Sequence, residues 1–253
     1  MARLIILGSA AAVSNAEHDN THFLLEGDQG DVVLVDCGSN PLPKLERCGI
    51  EPGQLQAMIL THFHPDHVSS VPILLMQLWV LGRQHPLHIY GLHHCLQRVQ
   101  ALMLDGFQWD TWPNFFPVIF HTLPEQPDVS LLENDDFAIR CWPTKHFIPT
   151  IGLRIEVKTS RKIVAYSCDT EPIPHIVELA RDADLLLHEA TGASFGHSSA
   201  AQAGQVATQA GARRLVLVHY DGRQKDPLPL VSEARATFAG PVERAEDFQE
   251  FLL

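Results

Sequence analysis

Apolar residues recur along the chain in short runs bounded by Gly, Pro, Asn and Asp, a pattern typical of β-strands that end in turns. It predicts strands over 3–7, 22–26, 32–36, 57–60, 87–90, 118–121, 137–142, 151–157, 163–167, 185–188 and 215–219. Helical spacing of apolar positions predicts helices over 41–48, 68–81, 93–104, 173–181, 199–210 and 228–238. Strands come early and in pairs, whereas the second half alternates strand with helix. This order indicates a layered α/β protein of two sheets with helices outside.

The beginning of the chain allows two interpretations. An apolar run followed by small residues at Ser14 and Ala16 is similar to a secretion signal. The alternative is a first β-strand over 3–7 that ends at a turn through Gly8 and Ser9. We favour the strand, because the apolar part is short and interrupted by Gly and Ser. Elsewhere the longest strongly apolar run, 71–81, is too short to cross a membrane.

Length and composition narrow the class of protein. The 253 residues contain no repeat and no low-complexity linker, so we expect a single domain over 1–253. A net charge of −12 disfavours a broad basic surface for gripping nucleic acid. The five cysteines are scattered without a C-x-x-C pair, which argues against a disulfide framework or a cysteine zinc site. They indicate a reducing compartment, and we expect the cytoplasm.

Histidine is unusually frequent, with 15 in the chain, and several cluster directly after the predicted strand 57–60 in the segment T-H-F-H-P-D-H. His62 and His64 are two positions apart and can point the same way, whereas Asp66 and His67 begin the next helix and point elsewhere. Ligand-type side chains that point in two different directions suit two metal ions better than one. Imidazole nitrogen and carboxylate oxygen without thiolate suit zinc, with manganese or iron as alternatives.

The H-x-H-x-D-H motif resembles that of the metallo-β-lactamase superfamily, and this resemblance implies an αββα sandwich with two mixed sheets. The remaining family positions are matched downstream, each near the end of a predicted strand. The resemblance implies two zinc ions, held by two sets of ligands and one bridging residue: His62, His64 and His146 for the first, Asp66, His67 and His219 for the second, and Asp169 between them.

A further pair of motifs resembles ribonuclease Z and its close relatives, the phosphodiesterase branch of that superfamily. H-E-A-T ends the predicted strand 185–188, and G-H-S-S-A opens a helix shortly afterwards. The resemblance implies that His197 stabilises charge on the phosphate or protonates the leaving oxygen, and that Glu189 orients it. Asp66 would take a proton from the attacking water. The alternative for this loop is helix capping by Ser198 or Ser199 without catalysis.

Two departures from ribonuclease Z matter. That family carries a long basic arm that grips the tRNA elbow, inserted between the third histidine and the bridging aspartate. Here His146 and Asp169 are 23 positions apart, enough for two strands and a turn, so the arm is absent. Together with the acidic charge, this disfavours tRNA without excluding it. Cys168 stands where a glycine is common in the family, and strand alternation should turn it away from the side of Asp169.

We therefore expect a zinc-dependent phosphodiesterase whose substrate is a small molecule, such as a cyclic nucleotide, or a short single-stranded nucleic acid. Three alternatives remain open. Carboxyl-ester, thioester and lactone hydrolases of the same fold share H-x-H-x-D-H but generally lack the pair formed by Glu189 and His197. A tRNA 3′-end endonuclease is the second alternative. The third is a non-catalytic, metal-stabilised binding module.

Five aromatic residues crowd the segment 105–117: Phe107, Trp109, Trp112, Phe115 and Phe116. We expect this segment to fold onto the core or into a subunit interface, and the resemblance is compatible with a homodimer. The alternative is a lid or a wall on which substrate stacks.

Overall fold

The computed structural model describes residues 1–224 and 226–253. The strands are β1 (Arg3–Gly8), β2 (His22–Glu26), β3 (Val32–Val35), β4 (Leu55–Leu60), β5 (Leu87–Leu92), β6 (Val118–Leu123), β7 (Val129–Glu133), β8 (Phe137–Pro143), β9 (Ile151–Val157), β10 (Ile163–Tyr166), β11 (Leu185–Glu189), β12 (Leu215–Val218), β13 (Val242–Arg244) and β14 (Glu250–Leu252). The helices are α1 (Leu42–Arg47), α2 (Pro65–Val68), α3 (Val71–Val80), α4 (His93–Ala101), α5 (Pro174–Leu179), α6 (Ala200–Ala210) and α7 (Leu228–Arg235).

The strands form two mixed sheets of seven strands each. The first has the order β14-β1-β2-β3-β4-β5-β6, and the second has the order β13-β12-β11-β10-β9-β8-β7. In the first sheet β3, β4, β5 and β6 run parallel, and in the second β10, β11, β12 and β13 do. Because β9 is antiparallel to both of its neighbours, β8 points the same way as β10. The carboxyl ends of β8, β10, β11 and β12 therefore lie at one edge of the second sheet.

Three apolar layers hold the sandwich together. Side chains from the facing sides of both sheets form the central layer, where the rings of Phe23 and Tyr166 meet edge to face with centroids 5.1 Å apart. A second layer joins the outer side of the first sheet to α1, α3 and α4. A third joins the outer side of the second sheet to α5, α6 and α7. This is the αββα arrangement expected from the sequence.

The predicted elements are present with shifts of one or two residues at most ends, and three strands were missed. Two of them, β13 and β14, are three residues long, too short for a periodic pattern. The third, β7, pairs with β8 at the outer edge of the second sheet. The favoured strand at the chain start is β1, which lies between β14 and β2. Within the described residues, no helix has the length and apolarity needed to cross a membrane.

The helix predicted over 68–81 is present as α3 but begins three residues later, at Val71, because Val68 ends the separate helix α2 and a break follows. The backbone N–H of Ser70 donates to the carbonyl of Cys37 at 2.8 Å, so it does not continue the helix. Pro72 restarts the helix, since its missing N–H needs no partner in a first turn. The break leaves α2 as a short, separately anchored helix that carries Asp66 and His67.

Candidate metal centre

The loop after β4 carries His62 and His64 at the carboxyl-terminal edge of the first sheet. His62 is fully buried, and its Nδ1–H donates to the hydroxyl of Thr61 at 3.1 Å. Thr61 in turn donates from its hydroxyl to Asp36 at 2.8 Å and from its backbone N–H to the same carboxylate at 2.8 Å. This chain of hydrogen bonds fixes the His62 ring with Nε2 facing the centre of the cluster.

The short helix α2 is held by close backbone packing against the segment after β3. A side chain on Gly38 would put its Cβ 1.7 Å from the carbonyl oxygen of Asp66, so only glycine allows this approach. His67 is buried at the end of α2, and its Nδ1–H donates to Asp36 at 2.8 Å. Asp36 therefore orients His67 directly and His62 through Thr61, with both Nε2 atoms facing inward.

The second sheet supplies the other predicted ligands from the ends of β8, β10 and β12. His146 donates from Nδ1 to the carbonyl of Gly196 at 2.8 Å. His219 donates from Nδ1 to the hydroxyl of Thr191 at 2.9 Å, and that hydroxyl donates to the carbonyl of His219 at 2.7 Å. Asp169 is buried between them. Each imidazole thus uses one nitrogen for a structural bond and keeps the other free.

The free atoms converge on two neighbouring points. On one side, His64 Nδ1 lies 3.0 Å from the Nε2 atoms of both His62 and His146. On the other side, His219 Nε2 lies 3.3 Å from His67 Nε2 and 3.3 Å from Asp66 Oδ2. All the ligand residues predicted from the sequence are therefore brought together, in the two sets that the resemblance implies.

The carboxylate of Asp169 lies between the two sets. Its Oδ2 is 3.8 Å from His62 Nε2 and 3.7 Å from His146 Nε2. Its Oδ1 is 3.7 Å from His67 Nε2 and 3.5 Å from His219 Nε2. One oxygen of Asp169 therefore faces each set of ligands.

The donor set fits metal ions on several grounds. Asp169 Oδ1 is buried and accepts no hydrogen bond from the residues that the structure describes, although buried carboxylate oxygens are normally satisfied. Nitrogen and oxygen ligands about 2.0–2.1 Å from a tetrahedral zinc ion are separated by about 3.3 Å, close to the spacing found here. The ligand atoms of each set also lie within 4.8 Å of one another.

Electrostatics divides the two sets. Burial lowers the pKa of His62 and lowers that of His146 to about 4, so both imidazoles are neutral and ready to donate a lone pair. Burial would also lower the pKa of His67, but the carboxylates of Asp169, Asp36 and Asp66 outweigh it and raise the pKa to about 10. The pKa of His219 is raised in the same way, chiefly by Asp169 against the opposing effect of burial. The second set therefore favours positive charge.

Three residues of the site have left-handed backbone conformations. Asp36, Cys168 and His219 have φ values of 62°, 51° and 49°, and each lies just after a strand. Such values are uncommon for residues other than glycine and often accompany functional sites. Here they turn the chain sharply where it leaves the sheet, which directs Asp36 and His219 toward the centre.

Glu189 and His197 form a pair beside the cluster. His197 Nδ1–H donates to the Glu189 carboxylate at 3.1 Å, and the backbone N–H of Thr170 donates to the same carboxylate at 2.7 Å. Burial opposes charge on His197, but Glu189 raises its pKa. The His197 ring lies parallel to that of His219, with centroids 5.9 Å apart, and 4.9 Å from that of His146. It therefore faces both sets of ligands.

The same loop also caps a helix, which was the alternative interpretation of its sequence. The Ser199 hydroxyl accepts from the backbone N–H of Gln202, and the Gln202 side chain accepts from the N–H of Ser199 at 2.8 Å. This capping box starts α6, and its N-cap Ser199 lies two residues after His197. Capping and the pairing of His197 with Glu189 therefore use different residues of the same loop.

Cys168 contacts the back of the first set. Its sulfur lies 3.7 Å from His62 Nδ1, the ring nitrogen that faces away from His64 and His146. Burial raises the pKa of this thiol well above its ordinary value, so it stays protonated. A neutral thiol behind His62 supports its orientation.

The aromatic segment packs away from the metal ligands. The rings of Trp112 and Phe115 lie 5.1 Å and 6.5 Å from that of Trp79 on α3, and Trp109 and Phe116 join the same outer layer. The expectation that the segment folds onto the core agrees with these contacts. Phe107 remains about half exposed beside a hollow of about 510 Å³ lined by Met76 and Trp112.

Sequence reasoning missed several residues that complete the site. Thr61 and Thr191 hold His62 and His219, but threonine is too common for either to be singled out from sequence. Two phenylalanines beside the cluster, Phe147 and Phe195, were also missed. Phe147 directly follows a predicted ligand, and this adjacency is the signal that could have identified it.

Comparisons with known proteins agree with this fold and site. Ribonuclease Z of Methanothermobacter thermautotrophicus is 26% identical over 298 residues, covering 94% of this chain and 92% of the relative. The metallo-β-lactamase fold protein YhfI of Bacillus subtilis has a TM-score of 0.80 at 24% identity, covering 99% of this chain and 98% of that one. The short form of human tRNase Z has a TM-score of 0.78 at 24% identity, covering 99% and 98%.

These findings confirm the predicted resemblance and fold, and the name of the ribonuclease Z relative agrees with the prediction of a hydrolase. Between His146 and Asp169 the chain forms only β9, a turn over 158–162 and β10, which agrees with the prediction that the long arm is absent. A family model described as anti-Pycsar protein Apyc1 matches residues 2–244. The chain therefore belongs to the anti-Pycsar protein Apyc1 family and has the metallo-β-lactamase fold.

Proposed function

We propose that the chain is a binuclear, zinc-dependent phosphodiesterase acting on small or single-stranded phosphodiesters. The observation that carries the proposal is the buried Asp169 carboxylate, with one oxygen toward each of two sets of inward-facing ligand atoms. His62, His64 and His146 would hold one ion, and Asp66, His67 and His219 the other. Manganese and iron also accept these ligands, so the choice of zinc rests on the near-tetrahedral spacing.

When bound, two such ions supply a nucleophile at neutral pH and neutralise the charge of the phosphodiester. The protein then has to manage the protons. Asp66 stays ionised, because hydrogen bonding to His219 and the charge of His67 lower its pKa despite burial. A carboxylate at this position can accept the proton of an attacking water.

His197 is the candidate acid for the leaving oxygen. The Glu189 carboxylate fixes Nδ1, which leaves Nε2 free for the substrate. Glu189 raises the pKa of His197, which favours the protonated ring, and this ring can donate its proton as the P–O bond breaks. Burial raises the pKa of Glu189, so this carboxylate depends on its bonds to His197 and Thr170 to remain charged.

A small substrate is supported by charge and by the connections around the site. The net charge of −12 opposes binding of a long polyanion. The turn over 158–162 is too short to act as the arm found in ribonuclease Z. We therefore favour small or single-stranded substrates over tRNA. The five free cysteines support a reducing compartment such as the cytoplasm.

A substrate panel with metal analysis tests this proposal. We expect about two metal ions per chain after dialysis and turnover of bis-p-nitrophenyl phosphate but not of p-nitrophenyl acetate or a lactone. Turnover of the ester or lactone alone would assign the chain to the ester hydrolases of the same fold. Cleavage of pre-tRNA at its 3′ end, with no activity on small diesters, would favour the tRNA endonuclease. Metal without turnover of any substrate would favour a binding module.

Replacing His197 with Ala tests the acid. We expect loss of phosphodiester hydrolysis by roughly 100-fold or more with metal content unchanged, because general acid catalysis contributes about 10²–10⁴-fold. His85→Ala is the matched control, since His85 is exposed on the surface. Loss of metal in the His197 variant would make this residue a ligand instead, and unchanged turnover would remove it from the reaction.

A further inference from the structure

Two phenylalanine rings lie exposed at the rim of the candidate metal centre. Phe147 is 57% exposed and Phe195 is 63% exposed; Phe147 lies against the rings of His146 and His197, and Phe195 lies against Phe147. Their centroids are 5.1 Å apart, with the ring planes at 70°. Two such residues contribute little to folding, because more than half of the surface of each stays exposed to water.

The Phe147 ring is close to two of the candidate ligands and to the candidate acid. The Phe147 centroid lies 5.0 Å from the ring of His146 and 6.4 Å from that of His64. It also lies 5.9 Å from the ring of His197. A base joined through its sugar to a phosphate held by these histidines is therefore within reach of the Phe147 ring.

The backbone holds both rings in place. Phe195 occupies the corner of a four-residue turn in which His197 N–H donates to the carbonyl of Ser194 at 3.1 Å. Gly196 has a φ of 76° at the third position, which a type II turn reserves for glycine. A Cβ there would lie 3.1 Å from the Phe147 ring, so the turn packs directly against that ring. The same turn carries Phe195 and His197.

The loop that carries Phe147 is equally well anchored. The backbone N–H of Thr144 donates to the carbonyl of Thr150 at 3.0 Å, which closes the loop between β8 and β9. The Thr150 hydroxyl donates to the carbonyl of Ile148 at 2.8 Å. Neither ring has to be ordered by a ligand, which lowers the entropic cost of stacking against it.

We propose that Phe147 and Phe195 form a stacking subsite for the nucleobase of a nucleotide-type phosphodiester. The inference rests on the proposed phosphodiesterase function and narrows its substrates to those that bear a planar base. Stacking tolerates any base, because every base presents a π face. The subsite therefore contributes affinity for nucleotides as a class rather than selection among bases.

The test compares two ligands that share a phosphate but differ by the base. Dissociation constants of adenosine 5′-phosphate and ribose 5-phosphate are measured by calorimetry on the metal-loaded chain. We expect the base to tighten binding about 5- to 150-fold in the unsubstituted protein, the range for stacking of one base on aromatic side chains. In the double variant F147A/F195A the ratio of the two dissociation constants, ribose 5-phosphate over adenosine 5′-phosphate, should fall to near one, while metal content stays the same.

Two controls separate stacking from other effects. F107A removes a phenylalanine that is also about half exposed but lies in the aromatic segment beside Met76 and Trp112, and this variant should keep the ratio. F147L/F195L retains apolar bulk without the rings, and its ratio should fall most of the way toward one. A ratio that survives in F147L/F195L or F147A/F195A would overturn the subsite.

The failure of the inference differs from that of the proposed function. Equal binding of the two ligands in the unsubstituted protein, with phosphodiester turnover intact, refutes the stacking subsite alone. Absence of turnover on every phosphodiester, together with absence of binding of either phosphate, refutes the function on which the inference rests.

Discussion

Replacing Asp36 with Asn should weaken binding at one set of metal ligands and leave the other set largely intact. Asp36 is fully buried and accepts hydrogen bonds from Thr61 and from His67 Nδ1, the latter at 2.8 Å. Asparagine has almost the same shape, so no cavity forms. Its NH₂ group, however, has to face either the Thr61 N–H or the His67 N–H, and both of those are donors.

The clash between two N–H donors can be relieved by a change in the protonation of the His67 ring. To accept from the amide, Nδ1 has to lose its proton, so the neutral ring keeps its one proton on Nε2, the atom that faces His219 and Asp169. A protonated Nε2 cannot bind metal. A lost hydrogen bond to a charged group costs about 1.5–3 kcal/mol, which corresponds to roughly 10- to 150-fold weaker binding. This range agrees with the loss of metal affinity, about 10–100-fold, that usually follows mutation of a residue hydrogen-bonded to a metal ligand.

Metal titration in a competing chelator measures this change. We expect the affinity at the Asp66, His67 and His219 set to fall within that range in D36N, with a smaller change at the set of His62, His64 and His146. D136N is the matched control: Asp136 is also buried and accepts from the backbone N–H of Gln29 at 2.9 Å. Equal loss at both sets, or no loss at either, would refute the assigned role of Asp36. Melting curves of the metal-free variants identify any general loss of stability.

The remaining predictions concern protons and backbone shape. In the metal-free protein the pKa of His67 is raised from 6.5 to about 10, so binding at its set must displace a proton at pH 7. Affinity should rise about ten-fold per pH unit toward pH 10, and calorimetry in buffers of different ionisation enthalpy should detect the released proton. The same shift stabilises the metal-free fold fully below pH 6.5, and this stability is lost as pH rises through about 10. A metal-binding enthalpy that does not depend on the buffer would show that no proton is released, and would contradict the raised pKa of His67 on which both predictions rest. Gly196→Ala forces a side chain onto a φ of 76° and to within 3.0 Å of His146 Nδ1, so turnover should fall by roughly ten-fold or more through misplacement of His197. Gly30→Ala, also at positive φ but with open space around its Cβ, should lower stability and leave turnover unchanged.

Several features followed from sequence because they depend on local order along the chain. Alternating apolar runs and turn residues located most strands and helices, since side-chain periodicity is set by backbone geometry. The H-x-H-x-D-H segment located four candidate ligands because they are adjacent in the chain. The downstream candidates came through resemblance to a known family, and their roles stay predictions. The three-residue strands escaped because no periodicity can be read over so few positions.

Only the tertiary structure decided how the candidates face one another. Asp36 and His67 are 31 positions apart, and their hydrogen bond exists because β3 and β4 are parallel neighbours whose ends meet. The position of the Asp169 oxygens depends on two sheets packing with their carboxyl ends at one edge. The pairing of Phe147 with Phe195 depends on a glycine turn that brings two loops together. Local pattern specifies which residues can bind or donate, but distances across the sandwich are set by packing of the whole core, which no short stretch of sequence encodes.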